Sequence, residues 1–139
     1  MLTELRPTGT DASGEDKKLN VVTDEIEEKD VAIQMLSVFI DELGVAFAEF
    51  VEPASRVCLS LTSYEANSSI RSTCASALPG LIKCAKLAGG ITPQLSTMAK
   101  EFNANLVAAM KEEVESECLI TQVQSLKDIL DQMGEGFLN

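Results

Sequence analysis

The sequence predicts an all-α chain of about five antiparallel helices, stacked as helix pairs into a solenoid. Three observations carry that expectation. From Val21 onward apolar residues recur at three- and four-residue steps, and no segment alternates with period two as a strand would. The stretch DELGVAF at 41–47 reappears as DQMGEGF at 131–137: an aspartate, a long apolar residue two positions on, a glycine, and a phenylalanine three further. Finally Gly44, Gly89 and Gly134 are spaced by 45 residues each, with KLAGGI around the middle one.

Taken in order, residues 1–20 mix Pro, Gly, Ser, Thr and charge with almost nothing to bury, and are expected to be a flexible lead-in to a helical segment over 21–139. A first helix over about 24–43 places Ile33, Leu36, Ile40 and Leu43 on one face, widened by Ala32 and Phe39. Thr23 or Asp24 would cap it, Glu25, Glu27 and Glu28 would suit its positive end, and Gly44 would stop it. A second helix over about 46–62 recurs through Phe47, Phe50, Val51, Ala54, Val57, Cys58 and Leu61. There Pro53 either kinks the helix or marks its true first turn. After the capping residues of SYEANSS, a third helix over 68–88 carries Ile70, Cys74, Leu78, Leu81 and Ala85, with Pro79 expected to kink it rather than break it. A fourth over 93–112 starts with Thr92 as N-cap and Pro93 in the first position, and turns Leu95, Met98, Ala99, Phe102, Leu106 and Ala109 inward. A fifth over 115–133, with Leu119, Val123, Leu126, Leu130 and Met133 inward, ends at Gly134.

On this reading the three glycines end helices one, three and five, so the repeating unit is a helix pair. Its length falls in the range of HEAT and armadillo repeats. A lone helix pair cannot hide its apolar faces, whereas stacked neighbours bury them against one another. The competing arrangement is a five-helix bundle, for which the glycine spacing would be coincidence.

Composition narrows function. The formal charge is −11, from 22 acidic and 11 basic residues, with no histidine or tryptophan and one tyrosine. A nucleic-acid backbone or an anionic membrane needs a basic face, so neither is an expected partner, while a Lys/Arg-rich protein segment fits the field. The commonest general base and metal ligand is missing, and the adjacent carboxylates Glu112 and Glu113 sit at a helix end with no nucleophile motif or phosphate loop, so catalysis, cofactor and metal are not expected. Cys58, Cys74, Cys84 and Cys118 form no C-x-x-C pair and lie among apolar residues, which predicts four free, buried thiols in a reducing compartment. The start, MLTELRPTGT, has no apolar core of signal-peptide length, and no run is expected to approach membrane-spanning length.

Particular residues carry a family resemblance. SYEANSSIRSTCASALPGL holds an acidic or amide residue (Glu65, Asn67) in the inter-helix turn and then the pair Ile70-Arg71 opening the next helix. This resembles the HEAT repeat, an armadillo-like α-α superhelix, in which an arginine reaches acidic or amide groups in the turns and holds successive repeats in line. Arg71 matches that place; near Leu119 and Ile120, in the next unit, there is no arginine. EIEEKDVAIQMLSVFIDELG, FAEFVEP, IRSTCASALPGLIKCAKLAG and DQMGEGFLN, in that order and spacing, are similar to an internal section of the importins of the karyopherin-beta family.

The resemblance implies a non-enzymatic nuclear transport receptor, shared between cytoplasm and nucleus. Such a receptor holds basic protein cargo on its concave side and meets Ran and nucleoporins through the full-length chain. In that family the second helix of each pair lines the concave side, here helices one, three and five. At one hundred degrees per residue, the candidate cargo face carries Glu27, Asp30, Gln34 and Asp41 on helix one, and Glu117, Gln124, Asp128 and Asp131 on helix five. Ser69, Ser72, Ser76 and Lys83 of helix three lie between them. The alternative is a HEAT-repeat structural scaffold such as a phosphatase regulatory subunit, whose repeats are more uniform; ordinary solvated helix faces would look the same at any one residue.

Overall fold

The computed structural model describes residues 10–134 and Phe137, with side chains from Thr23 onward. The chain forms α1 (Thr10–Leu43), a 3₁₀ segment (Gly44–Phe50), α2 (Val51–Leu61), α3 (Ser68–Gly89), α4 (Pro93–Glu112) and α5 (Ser116–Met133). Strands are absent among the described residues. The solenoid expectation holds: α3 packs against α1 on one side and α5 on the other, while α2 and α4 cover its remaining flank.

The core follows from that central place. Ile70, Cys74, Ala75, Leu78, Leu81 and Ile82 of α3 are fully buried, and they meet Ile33 and Ile40 of α1, Phe102 and Leu106 of α4, and Ile129 of α5 in one continuous cluster. At about 25 cal/mol per Å² of apolar surface, each fully buried Leu or Ile contributes about 2 kcal/mol, so α3 is the helix whose loss the fold could least survive. It runs unbroken through Pro79, as expected.

Gly80, beside that proline, has a role the sequence did not signal. A Cβ built there would lie 2.7 Å from Cγ2 of Ile40, so α1 and α3 approach where only a hydrogen separates them. The glycines that stop helices behave differently from one another. Gly44 and Gly134 have φ of +52° and +80°, the left-handed region in which a side chain is strained. In the middle unit that backbone falls on Gly90 (φ +72°), whose N–H donates to the carbonyl of Lys86 at 2.7 Å, and Gly89 is the last residue of α3. The expectation for Gly89 is therefore corrected by one residue: it sits at the helix terminus, but its neighbour makes the turn.

Helix boundaries agree for α4 and nearly so for α5 and α3. α1 instead begins at Thr10, so residues 10–20 are helical and not an irregular lead-in; residues 1–9 lie outside the described residues. Once a packed helix exists, each further residue adds one hydrogen bond for two fixed dihedrals, and propagation needs no apolar face. Thr23, Asp24 and the following acids consequently lie within the helix and not at its start. The second helix starts at Val51, with Pro53 in its first turn and the 3₁₀ segment as lead-in.

Burial corrects several expected core positions. On α1, Leu43 and Phe39 are 46% and 47% exposed and Ala32 is exposed, whereas Ile33 and Ile40 are buried. Phe50 and Val57 are likewise half exposed. On α5 the buried stripe is Cys118, Gln122, Ser125, Ile129 and Met133, with Leu119, Leu126 and Leu130 half-buried beside it and Val123 half exposed. Thr23–Leu61 contains an eighteen-residue window of mean hydropathy 1.7, and only 17% of that window is buried. By length and composition it could cross a membrane, contrary to expectation, since Asp41 and Glu42 only interrupt an apolar run.

All four cysteines are free and buried. Cys84 Sγ donates to the carbonyl of Ile40 at 3.5 Å, and burial raises its pKa. A hydrogen bond to Cys58, together with burial, raises that of Cys74. Native protein should therefore react slowly with a thiol reagent and denatured protein should react at all four; fast native labelling would contradict the packing.

Gly80→Val should lower stability by about 1–3 kcal/mol, the usual cost of overpacking, despite the better helix propensity of valine over glycine. Denaturant unfolding checks this. The smaller Gly80→Ala should cost less in an Ile40→Ala background, where the clashing methyl is gone; equal costs in both backgrounds would refute the contact.

Candidate protein-binding surface

A buried polar cluster lies where two inter-helix turns meet. The Asn67 side chain accepts from the N–H of Ile70 at 3.0 Å and caps α3, which fixes Arg71 one residue further along the first turn. Arg71 Nε and Nη2 then donate to Oε1 and Oε2 of Glu113, both at 2.9 Å, a two-pronged pair matched to the planar guanidinium. Its Nη1 donates to the carbonyls of Tyr64 at 2.9 Å and Glu65 at 3.3 Å. Glu113 further accepts from Gln122 Nε2 and from the N–H of Glu115, each at 3.1 Å. The Arg71 and Glu113 side chains are 11% and 1% exposed. One ion pair thus ties together the turn after α2, the start of α3, the turn after α4, and α5.

Arg71 makes the kind of contacts expected of it, to an acidic group and to turn carbonyls, and its acidic partner is the residue that sequence reasoning passed over. Glu113 was weighed only as one of two adjacent carboxylates. The signal available was the repeat itself: 45 residues beyond Asn67 is position 112, one short of Glu113. The Arg71 guanidinium, its hydrogen bonds foremost, holds the Glu113 carboxyl at a pKa of about 2, below the ordinary 4.5. Gln122, fully buried, is also part of the cluster, and its Oε1 has no partner among the described residues.

The candidate acidic residues fall on two helices with α3 between them. On α1, Glu27 and Asp41 are exposed, and Asp30 is half-buried, accepting from Gln34 Nε2 and from Ser69 Oγ of α3, each at 3.1 Å. On α5, Glu117 and Asp128 are exposed, and Asp131 is exposed and paired with Lys127 at 2.9 Å. Ser69, Ser76 and Lys83 of α3 are exposed, while Ser72 is half-buried. The α1 row is less acidic than expected. Asp30 belongs to the seam with α3, and Val31 and Val38, 57% and 55% exposed, share the outer face with Glu27 and Asp41. Arg71, Gly44, Gly89 and Gly134 all sit at turns or helix ends.

No family model matches the sequence. A crystal structure of the karyopherin Kap121p bound to the SUMO protease Ulp1p superposes with a TM-score of 0.77 over 84% of this chain, at 20% identity. The fold is a karyopherin-type helical repeat. This chain spans 11% of the length of that karyopherin chain. Within the karyopherin-type frame α1, α3 and α5 are successive equivalent helices, and the Arg71–Glu113 pair joins one repeat to the next.

Arg71→Ala should destabilise the chain by about 3–5 kcal/mol, as removing one member of a buried pair does, because Glu113 would be left buried and charged. The pH dependence follows from the depressed carboxyl. The Glu113 contribution is complete above its unfolded pKa near 4.5 and is lost as pH falls through its folded value near 2. At about 1.4 kcal/mol per unit this amounts to roughly 3 kcal/mol. Unfolding measured across that window should show the slope in wild type and a much flatter one in Arg71→Ala.

Proposed function

We propose that this chain works as part of a nuclear transport receptor of the karyopherin-beta kind, the Ran-binding importin (karyopherin beta 3) type, and takes part in holding basic protein cargo. The observation that carries the reading is the placement of acidic rows on α1 and α5 either side of a serine-bearing α3, in a fold shared with a karyopherin. Each row keeps exposed carboxylates, Glu27 and Asp41 on α1 and Glu117, Asp128 and Asp131 on α5, so a Lys/Arg-rich segment lying across α3 would meet several of them at once. Each contact would be worth well under 1 kcal/mol on its own. Affinity of this kind accumulates over repeats and is screened by salt. Ran, nucleoporins and movement between cytoplasm and nucleus enter through a full-length receptor, and the chain's part is cargo contact without catalysis.

The exposed valines give the reading a chemical shading. Val31 and Val38 beside Glu27 and Asp41 favour a cargo segment in which basic residues are interleaved with apolar ones over a purely polybasic tract.

A basic peptide of the import-signal kind should bind the chain weakly, and more weakly as salt rises. Asp128→Lys with Asp131→Lys should reduce binding roughly tenfold, the effect of reversing two exposed contacts of under 1 kcal/mol each. Glu49→Lys with Glu101→Lys, equally exposed but on the 3₁₀ segment and α4, should do much less. Equal losses from both variants, measured by fluorescence anisotropy with helix content checked, would mean that only net charge is sensed and would remove the assignment.

A further inference from the structure

Cys58 and Cys74 bring two thiols together inside the core, from opposite arms of one hairpin. Cys58 lies a turn before the end of α2, and Cys74 lies less than two turns into α3. A short connection between two packed helices makes them antiparallel, so the two positions face each other at nearly one height. Both residues are 0% exposed and belong to the same core cluster. Their thiols share a hydrogen bond, donated by Cys74. Everything that covers them is in this chain, so the pair does not depend on what packs against the ends of the stack.

The other two cysteines are placed differently. Cys84 donates to the Ile40 carbonyl across the seam with α1, and Cys118 lies against Ser72 and the Arg71–Glu113 pair. Each has an oxygen or a charged group as its polar partner, and only Cys58 and Cys74 have each other. Their two sulfurs are not equivalent. The hydrogen bond from Cys74 holds the Cys58 thiol below its ordinary pKa of 9.0, although burial opposes it, while the same bond and burial push Cys74 up. Cys58 is therefore the sulfur that ionises first. A thiolate beside a second thiol is the arrangement from which a disulfide forms, since one sulfur reacts with an oxidant and the other resolves it.

We propose that Cys58 and Cys74 are a peroxide-responsive dithiol, which hydrogen peroxide converts to a disulfide that staples α2 to α3. The Cys58 thiolate attacks one peroxide oxygen; the O–O bond breaks, hydroxide leaves, and Cys58 becomes a sulfenic acid. The Cys74 sulfur then attacks the Cys58 sulfur. The S–S bond forms, the S–O bond breaks, and the hydroxyl leaves as water with the Cys74 proton. In sum, two thiols and one hydrogen peroxide give one disulfide and two waters, and two electrons pass from sulfur to oxygen. A thiol reductant reverses the change. The loop 58–74 that the bond closes contains Tyr64, Glu65 and Arg71, the α2–α3 half of the polar cluster. Closing a loop restricts the unfolded chain, so the oxidised form holds that turn more firmly. Because both sulfurs are buried, oxidation waits on opening of the hairpin, and the response follows sustained peroxide more than a brief pulse.

Peptide mapping by mass spectrometry tests the proposal on the whole chain, held in hydrogen peroxide and then denatured in an alkylating agent. A linked Cys58–Cys74 peptide, lighter by two hydrogen atoms than the two thiol peptides, should appear before any oxidation of Cys84 or Cys118. The oxidised chain should melt several degrees higher, and dithiothreitol should restore the first value. Single variants separate the two roles. Cys74→Ser should leave Cys58 without a resolving thiol, as a sulfenic acid that dimedone traps. Cys58→Ser should leave Cys74 a thiol through the same treatment. Circular dichroism confirms that each variant is folded, and the wild-type map stands without them. Several results would overturn the proposal: no oxidation under sustained peroxide, Cys84 or Cys118 oxidised first, or links formed only between chains. So would a lower melting temperature after oxidation, or a dimedone adduct confined to Cys74.

Discussion

The Arg71–Glu113 pair is the constraint that the rest of the stack depends on. A solenoid has no closed core, and apolar contact between neighbouring helices tolerates sliding, since one Leu or Ile packs much like the next. A two-pronged, nearly dry ion pair does not tolerate it. With Arg71 on α3 and Glu113 in the turn before α5, a slip of one helix along the other would strand both charges, each in the region where an unpaired charge costs several kcal/mol. The Tyr64 and Glu65 carbonyls and the Gln122 amide extend that restraint to both turns. Burial supplies the attraction, and the ion pair selects the register.

How much of this was legible depended on how many sides of a helix were to be covered. α4 could be read almost completely, because it has a Thr92 cap, Pro93 in place, and one buried stripe from Leu95 to Ala109. α1 and α5 could be found but not correctly oriented. An inner helix of a solenoid packs on the unit before it, on the unit after it and on its own pair, so its apolar residues spread over more than half the circumference. Periodicity alone then picks out the wider apolar stripe, which on α5 was Leu119–Val123–Leu126–Leu130, while the side turned to α3 holds Gln122 and Ser125. Those polar residues are buried because α3 lies over them, and no local pattern announces it.

The candidate surface was legible in outline for the same reason. Which helices would carry the candidate row followed from the family resemblance. Which residues reach solvent did not: Asp30 is drawn into a seam by Ser69, and Val31 and Val38 take part of the place assigned to acids. Arg71 was visible because an arginine opening a helix after an acidic turn is an unusual sequence. Glu113 was hidden by its neighbour Glu112, an equally good reading of the same pattern until the turn geometry separates them.

The close approach at Gly80 bears on the shape of anything built from these units. Helices pack 8–10 Å apart depending on the side chains between their axes, so one residue per repeat fixes how near successive inner helices can come. That residue is Met35, then Gly80, then Ser125 along this chain, three very different volumes at one equivalent place. In an array of such units, curvature is the running difference between inner and outer spacing. A superhelix of this kind can therefore be wound more tightly or opened, unit by unit, through single substitutions that leave every turn and every ion pair as they are.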